Sequence, residues 1–151
     1  MSNIKINQEY QRKIAAVLLV AFVVALFLRV FVVEGYVVDG VSMLPTLEPG
    51  DYVFVYKQAY LRKDPQRGEV VVAKPRQHKI KVIKRVAVLP LEKYEIEGER
   101  VNKLDPGEYY LLGDNGSESF DSQDFGPVDR WDIKGKAFIG FRLKSFKLIT
   151  F

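Results

Sequence analysis

The sequence predicts a mainly β protein, in which an N-terminal transmembrane helix precedes an all-β domain. Three observations lead to this prediction. Residues 14–28 form an uncharged apolar run. Short segments rich in β-branched and aromatic residues recur beyond this run, and turn-forming pairs that contain Gly or Pro separate them. The chain has 151 residues, which suits one domain once the apolar run is set aside.

The apolar run is expected to form a membrane anchor over residues 14–33. Its uncharged part gives ~22 Å of helix, which is short for a hydrocarbon core of ~30 Å. Extension to Val33 reaches ~30 Å, provided that Arg29 places its guanidinium among the headgroups. A cleavable signal peptide is the alternative, but residues 33–36 show no clear pair of small residues for cleavage. A buried core helix is disfavoured because no polar residue interrupts the run before Arg29.

The charges on the two sides of the run predict its orientation. Arg12 and Lys13 precede it, whereas the residues that follow are acidic: Glu34, Asp39, Glu48 and Asp51. Because basic flanks stay in the cytoplasm, residues 1–13 are expected to be cytoplasmic. Residues 34–151 are then an extracytoplasmic β-rich domain attached to the cell membrane by a single span.

Beyond the anchor, the pattern predicts strands in chain order. They are expected at residues 36–38, 52–56, 69–73, 79–89, 108–112 and around 136–139, with a hairpin or surface excursion at 91–105. The last residues, 141–151, mix aromatic residues with Lys and Arg. They predict either a final strand or a segment that lies on the bilayer.

Composition excludes several kinds of site. The chain has no Cys and one His, which rules out disulfides, thiolate metal ligands and a cysteine nucleophile. His78 is interpreted as a surface residue. The acidic loop at residues 114–124 lacks the ligand spacing of a calcium-binding loop, so neither a metal nor a cofactor is expected. The net charge of +4 allows attraction to anionic lipid, and nucleic-acid binding is disfavoured because no basic stripe is interleaved with aromatic residues.

Lys84 occupies an unusual place in the strand predicted at residues 79–89. Side chains alternate between the two faces of a strand, which puts Lys84 on the apolar face with Ile80, Val82, Val86 and Val88. Burial there would lower the pKa of its amine, and a neutral amine is a general base. In the alternative, its stem covers apolar surface and its ammonium reaches water. The opposite face carries cations expected to meet solvent: Lys79, Lys81 and Arg85.

Ser42 follows the predicted anchor closely and lies between Gly40, which permits close backbone approach, and Pro45, which fixes the chain. Taken alone, such a serine is usually a turn residue or a helix cap. The signals of Ser42 and Lys84 are weak separately and become strong together with a third one, the string at residues 113–128. This string opens with Gly-Asp-Asn and continues with Ser119, Asp121 and Ser122.

These strings resemble, in the same order, the motifs of the type I signal peptidases, in the short form that has no large inserted second domain. Residues 42–46 (Ser-Met-Leu-Pro-Thr) resemble the nucleophile box of that family. Residues 67–71 and 83–86 resemble its base region, and residues 113–115 with 119–122 resemble its final box. The resemblance implies the mainly β catalytic domain of these enzymes.

The resemblance also implies roles for individual residues. Ser42 is implied to be the nucleophile, with its N–H in the oxyanion hole, and Lys84 to be the general base. Ser119 is implied to orient the Lys84 amine, and Asp121 to support the same wall of the site. Further supporting positions are Gly40, Met43, Pro45, Arg85, Gly113, Asp114, Asn115 and Ser122.

The chain departs from the family pattern at three places. Gly40 stands where some relatives carry a hydroxyl that adds an oxyanion donor. Gln123 stands where the family usually has Arg, which removes an expected charge partner of Asp121. Leu91-Glu92 replaces a common Gly-Asp turn. Since none of these changes touches Ser42 or Lys84, activity is expected to survive.

The implied function is a membrane-anchored serine endopeptidase with a Ser-Lys dyad, which removes signal peptides from translocated proteins after small residues at −3 and −1. The expected partners are secretory preproteins and membrane lipid, close to the protein translocation machinery, and no nucleic acid. A non-catalytic relative that serves in binding or assembly is the alternative. A self-cleaving Ser-Lys repressor-like protein is disfavoured by the anchor and by the lack of a DNA-binding region.

Overall fold

The structure is a computed structural model that describes residues 2–76, 78–96 and 99–151, without the side chains of residues 2–6, 96 and 99–102. Contacts within the chain divide it into a helical unit that ends at Val33 and a β unit that starts at Glu34. The cytoplasmic and extracytoplasmic positions of these parts stay predictions.

Helix α1 covers Ser2–Phe27 and continues into a π-helical turn at Leu28–Val32. It begins earlier than the expected anchor because the polar residues before the apolar run are also helical. An i,i+4 ion pair of 2.8 Å between Glu9 and Lys13 supports this first part. Residues Asn7–Val32 are long and apolar enough to cross a membrane.

The β unit contains ten strands and one short helix in its described part. The strands are β1 (Val33–Val37), β2 (Tyr52–Tyr56), β3 (Val70–Ala73), β4 (Val82–Val88), β5 (Lys93–Ile96), β6 (Glu99–Lys103), β7 (Glu108–Leu112), β8 (Val128–Asp129), β9 (Ile133–Arg142) and β10 (Lys147–Thr150), and helix α2 covers Ser122–Phe125. Short 3₁₀ turns lie at Gly116–Glu118, Arg130–Asp132 and Leu143–Ser145. The mainly β class and the N-terminal apolar helix are therefore confirmed.

Most of these strands form one sheet in the order β1-β2-β9-β3-β4-β7-β8. Strand β9 pairs antiparallel with β2, with β3 and, near its end, with β10. β10 confirms the final-strand interpretation of the C-terminal segment. β5 and β6 form the expected hairpin, whose turn at residues 97–98 lies outside the described residues.

Two strand boundaries differ from the prediction for a physical reason. The expected strand at residues 79–89 begins only at Val82, because its partner β3 ends opposite it at Ala73, shortly before Pro75. The strand around 136–139 extends over all of β9, because three neighbouring strands take up its hydrogen bonds.

Two apolar clusters lie on the two faces of β3. Val71 and Ala73 pack into one cluster with Val86, Tyr109 and Leu111. The alternate residues of β3 pack into the other cluster, which consists of Val38, Met43, Leu47, Val53, Val55, Val70, Val72 and Ala137. β3 is thus buried on both sides, and β4, which carries Lys84, is hydrogen-bonded directly to it.

Candidate active site

Lys84 is a buried cation on β4. Its Cα lies opposite that of Val71 in the antiparallel ladder with β3, and only 3% of the residue is exposed. Burial lowers the pKa of its amine from the usual 10.5, while the carboxylates of Asp121, Asp124 and Asp114 act in the opposite direction. The side chain therefore does not extend to water, as a lysine covering apolar surface would.

Ser42 lies beside this amine, at a separation of 2.6 Å between Lys84 Nζ and Ser42 Oγ. Its position is fixed by the next residue, Met43, which is 1% exposed and packs in the second apolar cluster. A turn follows, in which Leu47 N–H donates to Met43 O at 2.8 Å. Gly40 and Pro45 are exposed on either side of this segment.

Residues 113–115 hold the backbone of the Ser42 segment. The Asn115 N–H donates to Ser42 O at 3.0 Å, and Asn115 Nδ2 donates to Val41 O at 3.3 Å. A Cβ on Gly113 would lie 2.5 Å from Ser42 O and 2.2 Å from Ser119 Oγ. Only glycine allows the three segments to approach this closely.

Asp121 is 1% exposed and obtains its hydrogen bonds from neutral groups. It accepts from Ser119 Oγ at 2.5 Å, Gly113 N–H at 2.9 Å and Gln123 N–H at 3.0 Å. These three donors take the place of the charge partner that an Arg at position 123 would supply. The Asp121 side chain also caps helix α2, because it accepts from the Gln123 N–H. The hydrogen bond of Ser119 recorded here goes to Asp121, so its contact with the Lys84 amine stays a prediction. Ser122, also buried, accepts from Leu111 N–H at 2.9 Å.

Asp114 joins the segment of Ser42 to the strand of Lys84. Arg85 donates to both of its carboxylate oxygens, at 2.8 and 2.7 Å, and Thr46 Oγ1 donates to it at 2.6 Å. Burial alone would raise the pKa of this carboxyl, but the hydrogen bonds from Arg85 and Thr46, with the charges of Arg85 and Lys84, hold it below its usual value.

One expectation needs correction here. Arg85 was expected to face solvent, but its side chain is 32% exposed and committed to Asp114, because the carboxylate offers it a bidentate partner. Lys81 is exposed as expected, and it pairs with Glu34 at 3.0 Å. Thr46 was part of the recognised string without an assigned role. Its residue type alone gave no sign that it hydrogen-bonds a carboxylate from 68 residues further along the chain.

A groove of about 420 Å³ leads to Ser42 and Lys84. One wall consists of residues 36–43 and the other mainly of residues 80–84, with Glu118 and Phe120 beside them. The Phe120 ring is supported by His78, whose ring lies 5.1 Å away edge-on. His78 is therefore half-buried and not a plain surface residue. The described residues contain no group of three or more His, Asp or Glu side chains placed to hold a metal ion.

Comparison with known proteins identifies the family. The family described as signal peptidase, peptidase S26, matches residues 11–102 and 92–141 of the chain. The chain belongs to this family. Signal peptidase I of Leptolyngbya laminosa is 33% identical over 149 residues, which cover 79% of this chain and 73% of the relative. Signal peptidase I of Bacillus licheniformis is 28% identical over 151 residues, covering 78% and 81%. Signal peptidase I V of Bacillus subtilis (strain 168) is 31% identical over 152 residues, covering 77% and 90%.

Membership of the signal peptidase family makes the chain an enzyme, a type I signal peptidase that acts on preproteins bearing signal peptides. It also agrees with the N-terminal apolar helix as the part of this signal peptidase suited to membrane attachment.

Proposed function

We propose that this signal peptidase cleaves preproteins with Ser42 as nucleophile and Lys84 as general base. The observation that carries this proposal is the 2.6 Å separation of Lys84 Nζ and Ser42 Oγ, combined with the burial of Lys84 at 3% exposure. A buried amine with a lowered pKa is neutral at lower pH than a free lysine. It then has the lone pair that a general base needs.

The reaction follows the usual two stages of acyl transfer. The neutral Lys84 amine takes the Ser42 proton as Oγ attacks the scissile carbonyl, and the resulting oxyanion lies near the Ser42 N–H. The C–N bond then breaks, and the Lys84 ammonium protonates the leaving amine. Water attacks the Ser42 ester, giving its proton to the same amine, and the carboxylic acid leaves with Oγ reprotonated. No cofactor or metal takes part in these steps.

The proposed supporting residues act through the position of this pair. Gly113 and Asn115 hold the Ser42 backbone, and Arg85 with Asp114 links that segment to β4. Asp121, with Ser119 and Ser122, fixes the turn that packs against the same wall. Met43 fixes the position of Ser42 because its side chain packs in the second apolar cluster. Gly40 and Pro45 set the backbone conformation of the exposed segment on either side of Ser42.

The groove supports binding of an extended substrate. Its walls are two backbone segments, 36–43 and 80–84, and its lining is largely apolar. An extended preprotein segment adds backbone hydrogen bonds to such edges, and shallow apolar recesses accept alternate side chains. This arrangement agrees with cleavage after small residues at −3 and −1.

We propose further that residues 14–33 span the membrane, with residues 1–13 in the cytoplasm and residues 34–151 outside. The apolar helix supports the span, and the basic flank at Arg12 and Lys13 supports this orientation. The site then works beside the lipid and near the translocation machinery, where the preprotein emerges.

A non-catalytic relative that serves in binding or assembly has no need of a buried lysine in contact with a serine. Burial of a lysine ammonium costs free energy. Catalysis by the neutral amine gives a reason for this cost to be tolerated, so the geometry favours the enzyme.

The first experiment is cleavage of a preprotein with an Ala-x-Ala site by the detergent-solubilised full chain. We expect a cut after the second Ala that is lost in Ser42→Ala. The matched control is Ser145→Ala, in an exposed turn before β10, which should cleave normally. Full cleavage by a folded Ser42→Ala protein would refute the assigned nucleophile.

A further inference from the structure

An ion pair joins the two walls of the groove at the end that lies away from the proposed nucleophile. Lys81 Nζ donates to Glu34 Oε1 at 3.0 Å and to the Tyr36 hydroxyl at 2.8 Å. Lys81 belongs to one wall of the groove, whereas Glu34 and Tyr36 lie in β1, which leads into the other wall. We call these three residues the cross-groove bridge.

The bridge consists of two charged groups that remain in contact with water. Hydrogen bonds to Tyr36 and Glu34 raise the pKa of the Lys81 amine against the effect of burial. Burial would raise the pKa of Glu34, but hydrogen bonds from Lys81 and Tyr36 and the charges of Lys81 and Lys57 hold it below its usual value. The Lys81 side chain is 41% exposed and that of Glu34 is 29% exposed. The groove therefore ends in a hydrated ion pair and not in an apolar wall.

The two walls that the bridge joins are not neighbours in the sheet. β1 pairs with β2, whereas β4 lies between β3 and β7. β7 ends at Leu112, opposite Arg85, so within the described part of the chain the edge of β4 on that side has no partner strand before Arg85. An extended substrate segment can add to this edge, and the cross-groove bridge lies across the path of that segment.

The position of the bridge determines how much extended substrate the groove can hold. Lys81 precedes Lys84 by three residues, which is about 10 Å of extended chain. A substrate strand advances by the same rise per residue, so a strand with residue −1 beside Lys84 brings residue −4 to Lys81. Residues −3 to −1 then lie between the proposed dyad and the bridge, whereas residue −4 meets the ion pair.

We propose that the cross-groove bridge sets the specificity of this signal peptidase at substrate position −4, where it favours a small polar side chain over a large apolar one. A leucine at −4 would remove water from Lys81 and Glu34 without offering a hydrogen bond, which is costly for charged groups. A serine hydroxyl can accept from the Lys81 ammonium, which has three N–H donors and uses two of them on Glu34 and Tyr36. The proposal rests on the dyad and on the extended binding mode proposed above.

The test compares two preproteins that differ only at −4, with Ser or Leu before the same Ala-x-Ala site. The detergent-solubilised full chain cleaves each of them, and the readout is the ratio of the two kcat/KM values, which does not depend on the amount of active enzyme. We expect the wild type to prefer Ser by about 10-fold. Equal values for the two substrates would overturn this proposal while leaving the dyad intact. Loss of cleavage of both substrates would instead overturn the proposed function, and this inference with it.

Paired variants assign this preference to the bridge. Glu34→Gln with Lys81→Met removes both charges without leaving one unpaired, and the ratio should fall close to unity because the Leu substrate no longer meets an ion pair. The exchange variant, Glu34→Lys with Lys81→Glu, keeps two opposite charges and should keep the preference for Ser. The matched control, Glu9→Gln with Lys13→Met, removes the same two charges from an ion pair in α1 and should leave the ratio unchanged.

Two results with these variants would overturn the proposal. One is an unchanged ratio in Glu34→Gln with Lys81→Met. The other is a ratio close to unity in the exchange variant, which also decides the question if the first variant cleaves neither substrate.

Discussion

The guanidinium of Arg85 donates to both carboxylate oxygens of Asp114, at 2.8 and 2.7 Å. Arg85 follows Lys84 in β4, and Asp114 lies between Gly113 and Asn115, the two residues that hold the Ser42 backbone. The ion pair therefore connects the strand of the proposed base to the clamp on the proposed nucleophile. A change in this connection alters the distance between the two reacting side chains without touching either.

Thr46 provides a sensitive test of that connection. Thr46→Val keeps the side-chain shape but removes the 2.6 Å hydrogen bond to Asp114. We expect kcat to fall ~10-fold or more with KM little changed, since small displacements of reacting groups have large effects on rate. Thr46→Ser keeps the hydroxyl and should restore most of the activity, measured as steady-state cleavage of the preprotein. Normal activity of Thr46→Val with a loss in Thr46→Ser would show that the methyl group, and not the hydrogen bond, is what matters.

Gly113→Ala should inactivate the enzyme because the added Cβ displaces the segment that carries Ser42. The added Cβ would meet Ser42 O at 2.5 Å and Ser119 Oγ at 2.2 Å, so the Ser42 segment must move away from the 113–115 turn. Gly116→Ala, three residues further on, is the matched control because nothing lies within 4 Å of its Cβ. We expect cleavage to be lost only in Gly113→Ala, with circular dichroism of both variants like that of the wild type. Normal cleavage by Gly113→Ala would contradict the close packing described here.

The sequence was sufficient to predict the parts of the site that depend on local pattern. Period-two alternation in residues 79–89 placed Lys84 on the apolar face, where it is buried. The order of three strings supplied Ser42 and residues 113–122 through resemblance. The apolar run gave the helix, although polar residues extend it to Ser2.

The rest depends on contacts between distant segments, which no local pattern contains. Arg85 is an example. Strand alternation shows on which face of β4 its side chain lies, but it does not show that Asp114 packs against that face. Thr46 and Asp114 meet across 68 residues. The three neutral donors on Asp121 arise from the turn into α2.

Asp51 and Arg142 should account for part of the acid sensitivity of the fold. Asp51 is 2% exposed and accepts from Arg142 Nε and Nη2 at 3.0 and 2.8 Å. The hydrogen bonds from Arg142, together with one from the Glu48 backbone and against the effect of burial, hold the pKa of Asp51 below 3.8. Its stabilising effect is therefore complete above pH 3.8 and is lost as the pH falls through the folded-state pKa.

Asp51→Asn should lower the free energy of unfolding by about 1.5–3 kcal/mol at neutral pH, because Arg142 loses its charged hydrogen bonds to Asp51 and keeps only its ion pair with Glu48. The difference from wild type should shrink in acid, where Asp51 is protonated in both states. Chemical denaturation followed by Trp131 emission measures it. Asp105→Asn, at an exposed carboxylate, is the control and should change stability little at either pH. A pH-independent difference for Asp51→Asn would show that the lost hydrogen-bond geometry, and not the charge, is responsible.

The buried amine of Lys84 should set the pH dependence of cleavage. Burial lowers its pKa below 10.5, so the active neutral form increases as the pH rises through the folded-state value. We expect kcat/KM to rise with pH to a plateau whose midpoint lies below that of a free lysine. Lys84→Met should reduce cleavage by about 10²–10⁴-fold at every pH. Lys84→Arg should be equally inactive, because a guanidinium keeps its proton. Activity of Lys84→Arg with an unchanged profile would assign the rising limb to another group.

The Lys84 amine should also make the free energy of unfolding depend on pH, which can be measured without an activity assay. Below its folded-state pKa, Lys84 is protonated in both states, and the folded protein bears the full cost of a buried charge. Between that pKa and 10.5, only the unfolded state binds the proton, so stability rises with pH. Lys84→Met has no titrating group there. We therefore expect the variant to be more stable than the wild type at low pH, with the gap closing as the pH approaches 10.5. Parallel stability curves for the two proteins, measured by denaturation across this range, would mean that the Lys84 ammonium is solvated in the folded state and that the proposed base is not buried in solution.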